Sequence, residues 1–330
     1  MRYLVTGARG FVMSVLVERL LTAEPDAVVT TVDLHAPDHL LTTHLAGHEG
    51  RVQHVRADVG DSSAVAEVIA ESDPEVIVHG ATVTHDAASE RLDPGRFIHV
   101  NTGGTATVLD AARRAGRVRR VLLVSSGAVY GSSPLGLLTE DAAPAPDEMY
   151  GISKLAGELV ARRFGRLYGL EVPIARLTKM FGPMERPSSG RAVMSLPYHL
   201  AAAALAGRPL RVTERTLRAG GDWLSATRAA GALHLLARGT GRGDGVYNIS
   251  SGVRTGVPEL LARFGVEALP APAGEGVVDM DPDAESGKNG VYASDRARRE
   301  LLWNPGDLQE QVTEYLTWAR NNPAVFVASR

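Results

Sequence analysis

Apolar residues fall in short unbroken runs separated by longer mixed stretches. Tyr3 to Thr6, Val28 to Val32, Val52 to Val55, Val76 to His79, Val121 to Val124 and Val172 to Leu177 each have the length of a strand and lean on β-branched side chains. Val121-Leu122-Leu123-Val124 has no polar alternation, the mark of a strand covered on both faces. Helical stretches lie between the runs: one from Gly10 through Leu21 that ends near Pro25, one from Ser62 onward, one from Asn101 through Ala115, and one from Tyr150 to Tyr168. The alternation predicts an α/β fold with a parallel sheet. After residue 180 the pattern loosens. Arg186 to Arg191 reads as a Pro/Gly/Ser loop, Ala192 to Ala206 as an Ala-rich helix and Leu210 to Val212 as a strand. Ala226 to Ala237 reads as a helix, Val246 to Ser250 as a strand and Leu269 to Gly290 as a flexible acidic loop, before two terminal helices. The expected division is a dinucleotide-binding part over 1–180 and a smaller α/β lobe, interleaved with returns to the sheet, over 181–330.

Composition narrows this picture. At 330 residues the chain is long for one core and comfortable for two fused lobes. A formal charge of −3 implies no nucleic-acid or membrane field, and no apolar stretch is long and uncharged enough to span a bilayer. The absence of cysteine excludes disulfides and thiolate metal sites and fits a cytoplasmic protein. Arg2 to Thr6 is already the first strand, so no signal peptide is expected ahead of it.

The first strand runs into Gly7-Ala8-Arg9-Gly10 and then a helix. Such a turn lets the backbone approach a pyrophosphate, which sits at the helix amino end where free N–H groups and the dipole favour anions. Asp33 closes the second strand, where a carboxylate can hydrogen-bond ribose hydroxyls and would repel a 2′-phosphate, which favours NAD over NADP. Arg9 argues mildly the other way, though a solvated arginine is the plainer account. Met13 stands where a third glycine would let helix and strand pack closely. A methionine adapts its shape, so a slightly displaced helix is expected.

Farther along, Ser125-Ser126 ends the Val121 strand, and Tyr150 and Lys154 lie four apart on one helical face. A phenol titrates near ~10 and is a poor base unless a cation favours the phenolate. Lys154 supplies a cation, and Ser126 a hydroxyl to hold a substrate oxygen while the phenol moves the proton. These are the parts of a site for oxidising or reducing a secondary alcohol.

Ser126-Gly-Ala-Val-Tyr130-Gly, Tyr150-x-x-x-Lys154 and the amino-terminal glycine turn together resemble the extended short-chain dehydrogenase/reductase family, the NAD-dependent epimerase/dehydratase group. The resemblance covers nearly the whole chain and implies a Rossmann-type doubly wound parallel sheet with Ser126, Tyr150 and Lys154 as catalytic residues. It implies NAD contacts from Gly7, Arg9, Gly10, Phe11, Val12 and Asp33, from Asp58 and Val59 toward the adenine, and from Gly80, Ala81, Thr82, Asn101, Ser125, Tyr150 and Lys154. Plainer roles compete for three residues: Asp58 as a cap for the Ser62 helix, His79 as a packed core histidine, and Asn101 as a brace between helix and sheet.

Substrate contacts are expected from Thr82, Ser126, Tyr150, Lys179 and Arg191. Dehydratases of the group carry Asp-Glu after the serine/threonine position. Here Gly127 and Ala128 stand there and cannot move a proton, which disfavours dehydration and leaves epimerisation or net dehydrogenation. Nucleotide-sugar members usually show Arg-x-x-Asn-x-x-Gly-Pro and Arg-Asp, where this chain has Arg176-Leu-Thr-Lys179-Met-Phe-Gly182-Pro183 and Gly221-Asp222. The arginine of the second motif grips phosphate, and its loss is not conservative. Lys179 and the arginines 186, 191, 208, 211, 215 and 218 still favour an anionic sugar-type substrate, a nucleotide sugar or a smaller sugar acid. The family's pairing of two helices across a two-fold axis implies a homodimer. The competing class is a non-catalytic dinucleotide-sensing regulator, against which Ser126, Tyr150 and Lys154 together argue.

Two patterns mimic metal sites. Asp279-x-Asp281-x-Asp283 lacks the glycine and glutamate of a calcium loop. His35, His39, His44 and His48 fall in an expected loop with no carboxylate at ligand spacing, so they read as solvated side chains.

Overall fold

The computed structural model describes residues 1–131, 136–188, 191, 193–280 and 290–329. Fourteen strands occur among them: β1 (Arg2–Thr6), β2 (Val28–Asp33), β3 (Val52–Arg56), β4 (Val76–His79), β5 (Arg120–Ser126), β6 (Leu137–Leu138), β7 (Ile174–Leu177), β8 (Lys179–Phe181), β9 (Leu210–Val212), β10 (Gly220–Ser225), β11 (Val246–Ile249), β12 (Arg254–Gly256), β13 (Ala268–Pro270) and β14 (Val291–Tyr292). Seven form one sheet in the order β11-β7-β5-β4-β1-β2-β3, every pair parallel. The strand order reverses between β1 and β4, which opens a crevice at the carboxyl ends of those two strands. The Rossmann-type sheet is therefore present.

The centre of the sheet is buried on both faces, as the unbroken apolar runs require: all four residues of β4 and the first six of β5 are buried. On one face the Phe11–Ala23 helix packs against the Ala226–Ala237 helix, where Ala226, Ala229, Ala230 and Ala232 are completely buried. Such small side chains bring two helices close together. The other face is covered by the Ser62–Ser72, Gly104–Arg114 and Met149–Tyr168 helices around Val108, Leu109 and Ala161. A separate apolar cluster of Phe181, Tyr198, Trp223, Phe264 and Tyr315 sits among the later elements, beside the small sheet β12-β10-β8.

Several boundaries differ from the sequence reading. The helix expected from Ala192 begins at Leu196, because the Ser195 hydroxyl accepts a hydrogen bond from Tyr198 N and Pro197 suits a first turn. Residue 192 and residues 281–289 of the expected acidic loop, Asp281 and Asp283 among them, lie outside the described residues. His39–His44 forms a short helix where a loop was expected, because Asp38 caps it by accepting from Leu41 N at 2.9 Å. The cap of the Ser62 helix is Asp61, not Asp58. The helix expected from Asn101 is preceded and opened by a π-helical turn, Ile98–Gly103. No helix among the described residues is long and apolar enough to cross a membrane.

Candidate active site

A cavity of about 1100 Å³ lies over the carboxyl ends of the sheet. Gly7 enters it with φ +68°, and a Cβ there would lie 2.7 Å from the Ala81 backbone, so the turn after β1 accepts only glycine. Gly10, Phe11, Val12 and Met13 line the cavity at the start of a helix whose first turn has no side-chain cap. That leaves backbone N–H groups for an anion. Asp33 stands beside the turn, with Oδ2 accepting from Arg9 N at 3.0 Å. The Arg9 guanidinium is turned to Asp38, 3.2 Å away, and Arg186 donates to Asp38 and to the Arg9 carbonyl. Burial opposes ionisation of Asp38, but its bonds to Leu41 N and Arg186 outweigh it and hold the carboxyl below its ordinary range.

Asp58, Val59, Gly80, Ala81 and Thr82 also line the cavity. The Asp58 carboxylate accepts from Gly60 N at 2.8 Å. Glycine turn, helix terminus and ribose-side carboxylate together fit a dinucleotide.

Two expected cofactor contacts fail in their side chains. Asn101 does not line the cavity. Its amide accepts from Val83 N and Thr82 Oγ1 and donates to Val83 O and Ser153 Oγ, so it braces the loop after β4 against the Met149–Tyr168 helix. Ser125 lines the cavity, but its hydroxyl points away and donates to Glu158 at 2.7 Å. His79 is a core histidine, 2.8 Å from Thr6 Oγ1, and burial pushes its imidazole down to about 3.

Ser126, at the end of β5, accepts from Ala128 N at 3.1 Å and opens a tight turn over Gly127–Tyr130. It lies near Tyr150, and both line the cavity with Lys154. Burial pushes the phenol above its ordinary value and Glu148 adds to this; Ser126 and the Arg191 charge pull it back without cancelling the rise. Lys154 is nearly enclosed, donates to the Val124 carbonyl at 2.7 Å and is pushed down to about 8 by burial, with Glu158 opposing. The Arg191 charge lowers the phenol in this arrangement, while Lys154 gives one of its three N–H bonds to the Val124 carbonyl and is itself lowered by burial.

Thr82, Lys179 and Arg191 also line the cavity. Arg191 pairs with the fully buried Glu185 and lies over the Phe11 ring, 5.4 Å from its centroid. The Lys179 ammonium lies 5.5 Å from the centre of the Trp223 ring. Asp222 is structural: its oxygens accept from Ser251, Gly252 and Tyr292 backbone N–H groups.

The sequence reading missed two features. His85, in the cavity wall, has its Nδ1 2.9 Å from Glu148, the residue before the Met149–Tyr168 helix. Glu158 and Arg176, both almost wholly buried, form a bidentate pair with Nη2···Oε2 at 2.7 Å, and Arg176 also donates to Tyr130. Glu158 was accessible in principle, since it repeats the four-residue step from Tyr150 to Lys154. His39, His44 and His48 do not share a site: among the described residues no three metal-ligating side chains gather, His48 takes a bond from Arg51, and burial pushes His44 down to about 4.

The model of the NAD dependent epimerase/dehydratase family matches residues 3–250. A dTDP-glucose 4,6-dehydratase of Streptomyces antibioticus is 33% identical over 343 aligned positions, covering 98% of this chain and 94% of that protein. A UDP-glucose 4-epimerase of Mycolicibacterium smegmatis is 34% identical, with 97% and 99% covered. Among solved structures, a dTDP-glucose 4,6-dehydratase from Streptomyces venezuelae with NAD bound superposes with a TM-score of 0.82 at 26% identity, all of both chains covered.

Proposed function

The chain belongs to the NAD dependent epimerase/dehydratase family, and on that premise we propose that it exchanges a hydride between NAD and a secondary alcohol of a nucleotide sugar. The observation that carries this reading is the convergence of Ser126, Tyr150 and Lys154 on one cavity that also contains the Gly7–Gly10 turn. Gly7, Gly10, Phe11, Val12, Asp33, Asp58, Val59, Gly80, Ala81 and Thr82 would hold the dinucleotide. Asp33, with Arg9 turned away to Asp38, suits NAD rather than NADP.

Bound NAD supplies the hydride acceptor and donor. Ser126 holds the substrate oxygen, and Tyr150 removes its proton on oxidation and returns it on reduction. At neutral pH the raised phenol is protonated, so it is ready as an acid and must be helped as a base. Arg191 and Lys154 are the cations near enough to help, and Thr82 and Arg191 border the substrate.

Epimerisation or net dehydrogenation suits the site better than dehydration. Ala128 has no group that can give or take a proton, and a Cβ on Gly127 would lie 2.6 Å from the Tyr292 ring, so an acid there would need Tyr292 to move. A small sugar acid remains the second candidate substrate, on the strength of the arginines around the cavity. We take 1–180, with returns from the later chain such as β11 and the Ala226–Ala237 helix, as the cofactor part, most of 181–330 as the interleaved substrate lobe, and a homodimer as the working form. Ile152, Leu159 and Leu167 leave exposed apolar surface on the Met149–Tyr168 helix.

The test is incubation of the NAD-loaded protein with UDP-glucose, dTDP-glucose and their uronic acids, followed by NMR of the products. A C4 epimer or a net oxidation product is expected. A 4-keto-6-deoxy sugar would overturn the preference against dehydration, and return of every substrate unchanged would overturn the reading itself.

A further inference from the structure

Ser126 and Tyr150 reach the cavity from different elements, β5 and the Met149–Tyr168 helix, so their spacing depends on how those elements are held together. The Gly127–Tyr130 turn touches both. The Ser126 hydroxyl accepts from Ala128 N at 3.1 Å, which ties the orientation of the serine to the turn. A Cβ on Gly151 would lie 2.5 Å from the Ala128 carbonyl oxygen. Gly151 follows Tyr150, so the helix rests on the turn right beside its phenol-bearing residue. The Val129 carbonyl also accepts from Ala145 N at 3.1 Å, in the loop that leads to that helix.

A further surface of the turn meets Tyr292, which arrives from the far end of the chain on β14. A Cβ on Gly127 would lie 2.6 Å from Tyr292 Cζ and 2.8 Å from its hydroxyl oxygen. The same ring stacks on Tyr130, with centroids 5.5 Å apart and planes 24° apart. Tyr130 is fixed in turn, donating to Asn248 at 2.7 Å and accepting from Arg176 at 2.9 Å. The Tyr292 backbone is anchored as well: its N–H donates to Asp222, and its carbonyl accepts from Ser250 Oγ at 2.7 Å. The ring is buried, and neither Tyr292 nor Gly127 lines the cavity, so substrate contact is not its part.

From this we propose that Tyr292 is a positioning residue: its ring, seated on Gly127 and Tyr130, holds the turn against Gly151 and so sets how Ser126 stands to Tyr150. The proposal rests on Ser126 and Tyr150 being the reacting pair. Ring and side chain compete for one space, which also accounts for the glycine at 127.

The experiment compares NAD-loaded wild type with Gly127→Ala, Tyr292→Ala, the double variant and Tyr292→Phe. Each is read by kinetics on UDP-glucose and dTDP-glucose, by NAD affinity, by melting temperature and by the carbon-13 resonance of Tyr150 Cζ, assigned through its loss in Tyr150→Phe. Gly127→Ala should lower kcat by about ten- to a hundredfold, the usual cost of a misplaced reacting group. KM and NAD affinity should stay within about threefold, and the Tyr150 resonance should move. Tyr292→Phe keeps the ring and should turn over within about threefold of wild type. Tyr292→Ala should slow turnover because the turn loses its backing. In the double variant the new methyl enters the space left by the ring, so the loss in kcat should be far smaller than the product of the single losses. Single losses that simply multiply would overturn the proposal, as would a Tyr292→Phe variant as slow as Tyr292→Ala. A lowered melting temperature with kcat and the resonance unmoved would make Tyr292 a packing residue only, and would overturn it too. If wild type turns over neither sugar, the functional reading falls, and the resonance alone decides the role of Tyr292.

Discussion

Met13 fills the space that a side chain on residue 80 would need. A Cβ on Gly80 would lie 2.3 Å from the Met13 sulfur and 2.5 Å from its Cγ, and Met13 itself is buried against the sheet. The bare position that the dinucleotide turn lacks at 13 is thus found across the crevice, at the end of β4. Gly80→Ala should destabilise the fold by about 1–3 kcal/mol through overpacking and weaken NAD, since Gly80 lines the cavity. Met13→Ala should also destabilise, by leaving a void. Combining the two should cost less than the sum of the single changes. Denaturant unfolding of the four proteins checks this, and strict additivity would show that the two residues do not share space.

That pair shows where sequence reading stops. Met13 was visible as an anomaly because its neighbours fix its place in the turn. Gly80 looked ordinary, because nothing local says which residue faces it across the parallel strands β1 and β4. Tyr150 and Lys154 were legible from helical spacing alone, and Asp33 from its place as the last residue of a strand. Arg176 was not, because its partnership with Glu158 depends on the β5–β7 register, which sets Arg176 opposite Ser125. The meeting of Tyr292 with Gly127 depends in the same way on how the later chain returns to the sheet. Ser125 and Asn101 had the right positions near the site and the wrong partners, since a hydroxyl or an amide bonds whatever buried group is nearest. The charge balance between Tyr150, Lys154 and Arg191 was beyond reach, because burial, which sets it, is a property of the packed molecule.

Asp33 should govern cofactor choice. Its carboxylate is held by Arg9 N at the cavity edge, and the Arg9 guanidinium is turned away from it to Asp38. Asp33→Ala should weaken NAD and narrow the gap to NADP, measured as the ratio of dissociation constants. Tighter binding of NADP than NAD by the wild type would contradict the assignment.

Tyr150→Phe keeps the ring and removes only the hydroxyl, which lies in the cavity near Ser126. Folding and NAD affinity should survive while turnover falls by about 10²–10⁴-fold, the usual contribution of an acid–base group. Ser126→Ala should also slow turnover, by freeing the substrate oxygen. Turnover of the phenylalanine variant within a few-fold of wild type would remove Tyr150 from the mechanism.

Lys154 should leave a pH signature in stability as well as in rate. Burial pushes its ammonium down to about 8 in the folded protein, from 10.5 in the open chain, and the neighbouring Glu158 keeps it from falling farther. Below pH 8 the lysine is charged in both states, and the cost of burying that charge is constant. Between about 8 and 10.5 the unfolded chain holds a proton that the folded protein has released, so stability rises with pH across that window relative to a variant without the lysine. Unfolding free energies of wild type and Lys154→Met, compared from pH 7 to 10, should therefore show wild type gaining on the variant above pH 8. Glu158→Gln, combined with Arg176→Gln so that no buried charge is left alone, should move the onset of that gain to lower pH. The lysine ε-carbon resonance of wild type, assigned by its loss in Lys154→Met, should titrate near 8 and lower still in the Glu158/Arg176 variant. A Lys154 midpoint near the ordinary lysine value in wild type would mean that water reaches the ammonium, and the enclosed ion column of Lys154, Glu158 and Arg176 would not be what sets its charge.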